Sequence, residues 1–259
     1  PDNSDAIKCL KEMIQYNPEP GKGNLVDYLE VGSFISSFYT STSDLERAAF
    51  AVAESQYSEG ARLVELRFSP DQGKSPAAEV IKAQIDGLIQ VEAKYSDMKC
   101  RAIIIFDTVM TAEEIRDYGH VVATLKQDPV YGRYLVGVDI AGPEVGRARD
   151  SDTQFKNAER LGGRVTISGQ TEYFSDLNKY SATFTMLQEK GLNVTVHVGE
   201  NFFTLEQGFD RVSTAIEALN PTRFGHGVIL GINIDKYLEG LPKNGKGEPV
   251  DIFGNAYTK

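Results

Sequence analysis

Residues 193–228 read NVTVHVGENFFTLEQGFDRVSTAIEALNPTRFGHGV, and their pattern decides the fold. Asn193–Val198 alternates around β-branched side chains and stops at Gly199, which reads as a strand. TLEQGFDRVSTAIEALN then places apolar residues three and four apart until Pro221, which reads as an amphipathic helix. Thr222–Gly225 reads as a second strand. A strand, a helix and a strand in so short a span form a βαβ unit, whose two strands run parallel.

The same rhythm runs back toward the start of the chain. Strands are expected over Leu63–Phe68, Ala102–Phe106 and Leu135–Ile140. Helices are expected from DLERAAFAVAESQYSEGA, with Ser43 as N-cap and Gly60 near the end, from AAEVIKAQIDGLIQVEAKY and from TAEEIRDYGHVVATLKQ. Strands that alternate with helices in this way call for a parallel sheet covered by helices, either a doubly wound open sheet or a (β/α)8 TIM barrel. No G-x-G-x-x-G or G-x-x-x-x-G-K-[ST] is present to support the nucleotide cradles of the open sheet. Chemically capable residues lie at or just past several strand ends: Arg67 and Ser69, Asp107, Asp139, His197 with Glu200, and His226. Barrel enzymes collect their catalytic groups in that manner, so the expected fold class is α/β, a (β/α)8 barrel, with 1–259 a single domain. Two stretches break the rhythm. Residues 145–172 contain an extra strand-like piece, RVTIS, and read as an insertion, while 240–259 read as a loop.

The 259 residues are 41% hydrophobic and 25% charged, which is ordinary globular composition, and the formal net charge is -10. Clustered Lys and Arg are what give affinity for phosphate backbones, so DNA and RNA are not expected partners. No apolar run approaches the roughly 20 residues of a membrane span, and no signal-peptide pattern opens the chain at Pro1, so the expected compartment is the cytoplasm. Cys9 and Cys100 have no Cys or His neighbour at a metal-ligand spacing and read as ordinary thiols.

Two of the three histidines end strands. Gly199 frees the backbone for Glu200 to turn into the same mouth as His197, and His226 is held between Gly225 and Gly227. An imidazole that binds zinc beside a carboxyl group that handles protons is the division of labour of a hydrolytic metal site. Each residue also has a plainer reading. A strand-end histidine often serves as a hydrogen-bonded structural group, and a Glu after a Gly is often a solvated loop carboxylate. Asp107 and Asp139 could cap the helices that follow their strands. His120, in the middle of a helix with no partner at a useful spacing, reads as a surface or partly buried residue.

Four motifs in order resemble the adenosine deaminase family: VELRFSP at 64–70, GVDIAGPE at 137–144, TVHVGE at 195–200 and RFGHGV at 223–228. The resemblance implies a (β/α)8 barrel that converts adenosine to inosine and ammonia with one Zn2+ per chain. It implies that His197 is a zinc ligand, that Glu200 protonates purine N1 and that His226 orients the attacking hydroxide. The backbone N–H of Gly142 would donate to purine N3. A small-molecule purine nucleoside is thus the expected partner, while adenine, an aminofutalosine-like nucleoside or AMP remains an alternative on the same scaffold. A non-catalytic relative, a pseudoenzyme or binding protein, is the reading from another class.

The family's His-x-His pair at the first strand and the aspartate after its last strand have no counterpart in these 259 residues. The barrel is therefore expected to be incomplete, with about the second to the sixth strand present. One histidine does not hold zinc as three or four ligands do. The isolated chain is expected to be inactive, with activity belonging to a longer product.

Overall fold

The structure is a computed structural model that describes residues 8, 31–32, 34–147, 162–167, 170–251, 254 and 256–257. Its elements in chain order are α1 (Thr42–Ser58), β1 (Leu63–Phe68), α2 (Ala77–Lys94), β2 (Lys99–Asp107), α3 (Ala112–Lys126) and β3 (Leu135–Ala141). These are followed by β4 (Val145–Arg147), β5 (Gly162–Ile167), β6 (Gln170–Ser175), α4 (Ser181–Glu189), β7 (Asn193–Val198), α5 (Leu205–Leu219), β8 (Arg223–His226) and α6 (Ile234–Gly240). Single 3-10 turns occupy Leu177–Tyr180 and Val228–Gly231.

The larger sheet has the hydrogen-bonded order β1-β2-β3-β7-β8. Its strands follow one another in chain order, with β1 and β2 parallel and β7 and β8 parallel. A doubly wound sheet reverses its order at a switch point, whereas this order advances in one direction, as in a (β/α)8 barrel. The expected strands at Leu63–Phe68 and Asn193–Val198 form with the same bounds, and the others differ at their ends by three residues or fewer.

Contacts divide the chain into two compact units, Pro1–Ile105 with Asp117–Gly137, and Phe106–Arg116 with Val138–Lys259. In the first unit, Leu45 of α1 packs on Val80 and Ala83 of α2. Helix α1 begins earlier than the sequence reading placed it, because Ser41 rather than Ser43 is the N-cap. The reason is Asp44, whose Oδ2 accepts the N–H groups of both Thr40 and Ser41 while its own N–H donates to the Ser41 hydroxyl. Asp107 does not cap α3. That helix starts at a reciprocal Thr111 and Glu114 pair, and the Asp107 carboxylate takes the N–H of Val109 instead. His120 is exposed on α3, in line with its reading as a surface residue. Cys100 is buried, its thiol pushed up to about 11 chiefly by burial, whereas Cys9 lies outside the described residues.

In the second unit, Val194, Val196 and Val198 of β7 are buried, as are Phe184 and Leu187 of α4 and Ala215 and Leu219 of α5. The Phe184 ring meets Phe106 and Tyr180 edge-on, with centroids 5.2 and 5.6 Å away. Sequence reading assigned neither α4 nor α6. The stretch read as an insertion, 145–172, overlaps a separate antiparallel sheet of order β4-β6-β5, whose last strand runs on to Ser175. Beyond α6 the described residues carry the bridges Lys243–Pro249 and Val250–Ala256, and the Leu205 N–H donates to Tyr257 Oη at 3.4 Å. Among the described residues no helix is long and apolar enough to cross a membrane.

Gly87 sets the approach of α1 and α2. A Cβ there would lie 2.3 Å from the Glu46 carbonyl oxygen and 2.9 Å from the Phe50 nitrogen. Replacing Gly87 by Ala gains about 1 kcal/mol of helix propensity, but overpacking against rigid backbone costs about 1–3 kcal/mol. Gly87→Ala is expected to lower the urea midpoint with an unchanged m-value. A midpoint at or above that of the parent would mean that the helices are free to part at this position.

Candidate active site

His197 stands in β7 with its side chain 19% exposed, one residue before the strand ends. Its Nδ1 lies 3.0 Å from Asp139 Oδ1 and 3.2 Å from the Ile140 carbonyl oxygen, both on β3. Both neighbours are acceptors, so Nδ1 carries a proton and donates to them. Asp139 is fully buried, and it orients this imidazole rather than capping a helix as the sequence allowed. Room for the ring comes from Gly225 on β8, where a Cβ would approach His197 Cγ to 2.9 Å.

Past β7 the chain turns at Gly199, whose φ of 68° lies in the left-handed region. A side chain at this position would be excluded twice over, because its Cβ would also lie 2.4 Å from Ile229 Cγ2. The ends of the two strands are tied together by Gly227 N–H donating to the Val198 carbonyl at 2.9 Å and Ile229 N–H donating to the Gly199 carbonyl at 3.0 Å. These ties bring Glu200 Oε2 to 3.2 Å from His226 Nε2, with the two side chains 26% and 40% exposed. The His197 and His226 ring centroids are 5.1 Å apart. His226 itself has φ 62°, a conformation that costs an ordinary L-residue about 1–2 kcal/mol. Backbone strain of this kind collects where a side chain has to be aimed.

His197, Glu200 and His226 therefore meet at the ends of two adjacent parallel strands. Gly142 lies past the end of β3, with φ 115°. A Cβ there would come within 2.7 Å of Asp107 Oδ1 and 2.8 Å of Thr108 Oγ1. The glycine thus has a local reason, the close passage of Asp107 and Thr108, whether or not a ligand meets its N–H. Arg67 and Ser69 belong to the first unit, where the Ser69 hydroxyl donates to Asp71.

Sequence reading gave no role to Glu144, which is 1% exposed. Its Oε1 accepts the N–H groups of Glu200 at 2.8 Å and Asn201 at 2.9 Å, and its Oε2 accepts that of Gly199 at 3.0 Å. Arg211 of α5 pairs with the same Oε2 through Nε. Burial lowers the Arg211 pKa, and the neighbouring Glu144 charge works against that shift. No spacing rule points to Glu144, because its partners are main-chain amides more than fifty positions away.

Zinc, the metal that the resemblance implies, needs three or four protein donors. His197 Nε2 would be one. His226 Nε2 faces Glu200, Asp139 holds His197, and among the described residues no group of three His, Cys, Asp or Glu could hold a metal. The described residues do not by themselves fit a zinc ion.

Residues 4–169, more than half of the chain, match the family model described as adenosine deaminase. The chain belongs to the adenosine deaminase family. The family match covers Asp139, Gly142 and Glu144 and stops before His197, Glu200 and His226. The chain is 28% identical over 218 residues to an adenosine deaminase of Vibrio parahaemolyticus, spanning 82% of this chain and 52% of that protein. It thus spans about half the length of the curated relatives it matches. Among solved structures, adenine deaminase from Arthrobacter aurescens superimposes with a TM-score of 0.62 at 15% identity, over 90% of this chain and 58% of that one. An amidohydrolase from Burkholderia ambifaria with bound Zn gives 0.58 at 18% identity, over 82% of this chain and 50% of that one. At these identities the two structures speak for the shared fold alone.

The tautomer assignment is open to direct measurement. Nitrogen-15 spectra of labelled histidine are expected to show His197 protonated at Nδ1, with that preference weakened in Asp139→Ala, where the Ile140 carbonyl is the remaining acceptor. Asp139→Ala is also expected to cost about 1–3 kcal/mol, because the Nδ1–H loses the nearer of its two acceptors. Protonation at Nε2 in the parent protein would overturn the assigned role of Asp139.

Proposed function

We propose that this chain carries the proton-handling side of a hydrolytic deaminase that acts on a 6-aminopurine nucleoside, converting adenosine and water to inosine and ammonia. The observation that carries the reading is the contact of Glu200 with His226, a carboxyl group and an imidazole at 3.2 Å beside a second imidazole, that of His197. Membership of the adenosine deaminase family supports the reaction class.

In this reading the protonated Glu200 carboxyl gives its proton to purine N1, which draws electron density from C6. Water adds at C6 as the C6–O bond forms, with His226 holding the water and taking up its proton. The proton on His226 passes to Glu200 and on to the amino nitrogen, the C6–N bond breaks as ammonia leaves, and the hydroxyl proton returns to Glu200, so that the purine keeps the oxygen at C6 and the proton on N1. The Gly142 N–H would accept no part of this chemistry and would fix the ring by donating to N3. The zinc ion implied by the family resemblance would take His197 as one ligand, and its remaining donors would come from groups other than those described.

The test is deamination of adenosine, adenine and AMP, followed by ammonia release, in residues 1–259 and in the whole gene product that contains them. Adenosine is expected to give the highest kcat/KM. Glu200→Gln is expected to lower it by about 10²–10⁴-fold, the usual worth of a positioned acid-base group, with the folded content unchanged by circular dichroism. Undiminished turnover in Glu200→Gln would refute the assignment of Glu200, and a preference for adenine or AMP would refute the nucleoside.

A further inference from the structure

We infer that Glu144, paired with Arg211, is a positioning residue that aims Glu200, by binding three successive backbone N–H groups of the turn that follows β7. The catalytic meaning of this inference rests on the deaminase reading above, whereas the clamp itself rests on geometry alone.

Three consecutive main-chain N–H groups, from Gly199 to Asn201, converge on one carboxylate at 2.8–3.0 Å. Such an array, which includes a left-handed residue at Gly199, is a concave anion site. In many proteins an array of this kind receives a ligand's anion, but here the anion is built in. It is also fixed from behind. Arg211 pairs with Glu144 Oε2, and its Nη1 donates at 2.8 Å to the Ser175 carbonyl at the end of β6. The backbone of residue 200 is therefore held by a buried charge, and the Glu200 side chain is left to meet His226. A packing role would be met by any group of the same shape. A carboxylate is needed only where every donor faces an acceptor, since Gln offers one oxygen and one N–H2 group.

A cavity of about 290 Å3, lined by Glu144, Phe174, Ser175, Asn201, Phe202 and Arg211 among others, lies beside the carboxylate. It gives a small anion a route to the same three N–H groups if the side chain is shortened. Formate is therefore a usable probe.

The experiment compares the parent gene product with Glu144→Ala, with the pair Glu144→Gln and Arg211→Met, which leaves no unbalanced buried charge, and with Glu144→Ala in formate. Backbone amide exchange and steady-state kinetics are both read. Exchange at Gly199, Glu200 and Asn201 is expected to quicken by about tenfold or more in the variants, with β7 still protected, since local opening is governed by local bonds. The value of kcat is expected to fall by about 10–100-fold with KM within about threefold, because misplacement of an acid by an ångström has that scale. Formate is expected to restore both readouts in Glu144→Ala in part, and chloride at equal ionic strength is not.

Unchanged exchange at all three amides in the folded pair variant would overturn the clamp. Quickened exchange with kcat intact would overturn the positioning role. If the parent itself turns over no aminopurine, the functional reading fails, and the exchange arm still decides whether Glu144 holds the turn.

Discussion

The Glu144 carboxylate lies almost wholly out of water and accepts three main-chain N–H groups besides pairing with a buried guanidinium. Removing an isolated carboxylate from water costs several kcal/mol, which only close and well-aimed donors offset. The path of the chain from Val198 to Asn201 is therefore tied to the position of one oxygen pair. Through that path, Gly199 is seated against Ile229, and the end of β7 is joined to the end of β8. The meeting of Glu200 with His226 depends on both ties, one made by a side chain and one by the main chain.

Local signals carried most of the architecture into the sequence. The valines of β7 alternate with Thr195 and His197, and the apolar spacing of α5 is closed by Asn220 in a left-handed conformation just before Pro221. His197, Glu200 and His226 were legible for a related reason: His197 lies one residue short of the end of a recognisable strand, and Glu200 and His226 each sit beside a glycine where a strand ends. What stayed hidden was non-local or ambiguous. Asp139 looked like a helix cap because its true partner is 58 positions away, and Glu144 has partners that no side-chain pattern can reveal. Ser41 and Ser43 are both followed three residues later by an acid, so the start of α1 turns on which carboxylate gathers the preceding N–H groups. Strand β4 is only three residues long, too short for any alternation to register.

The family match and the cluster of His197, Glu200 and His226 fall on different parts of the chain. Residues 4–169 carry the family assignment, while the histidine and glutamate cluster is read from geometry at 197–226. The two lines of support are joined by Asp139 and Glu144, which lie inside the matched region and reach across to His197 and to the Glu200 turn. Half of the site is thus oriented by residues whose own positions the family relation covers.

The left-handed backbone at His226 has a consequence for how such a chain would drift. Glycine occupies that conformation almost without penalty, whereas an imidazole-bearing residue is held there against a gradient of about 1–2 kcal/mol. Once the chemistry is no longer under selection, a single codon path that ends in glycine or asparagine relaxes the fold at this spot. A descendant that kept the scaffold for another purpose would be expected to show that replacement early.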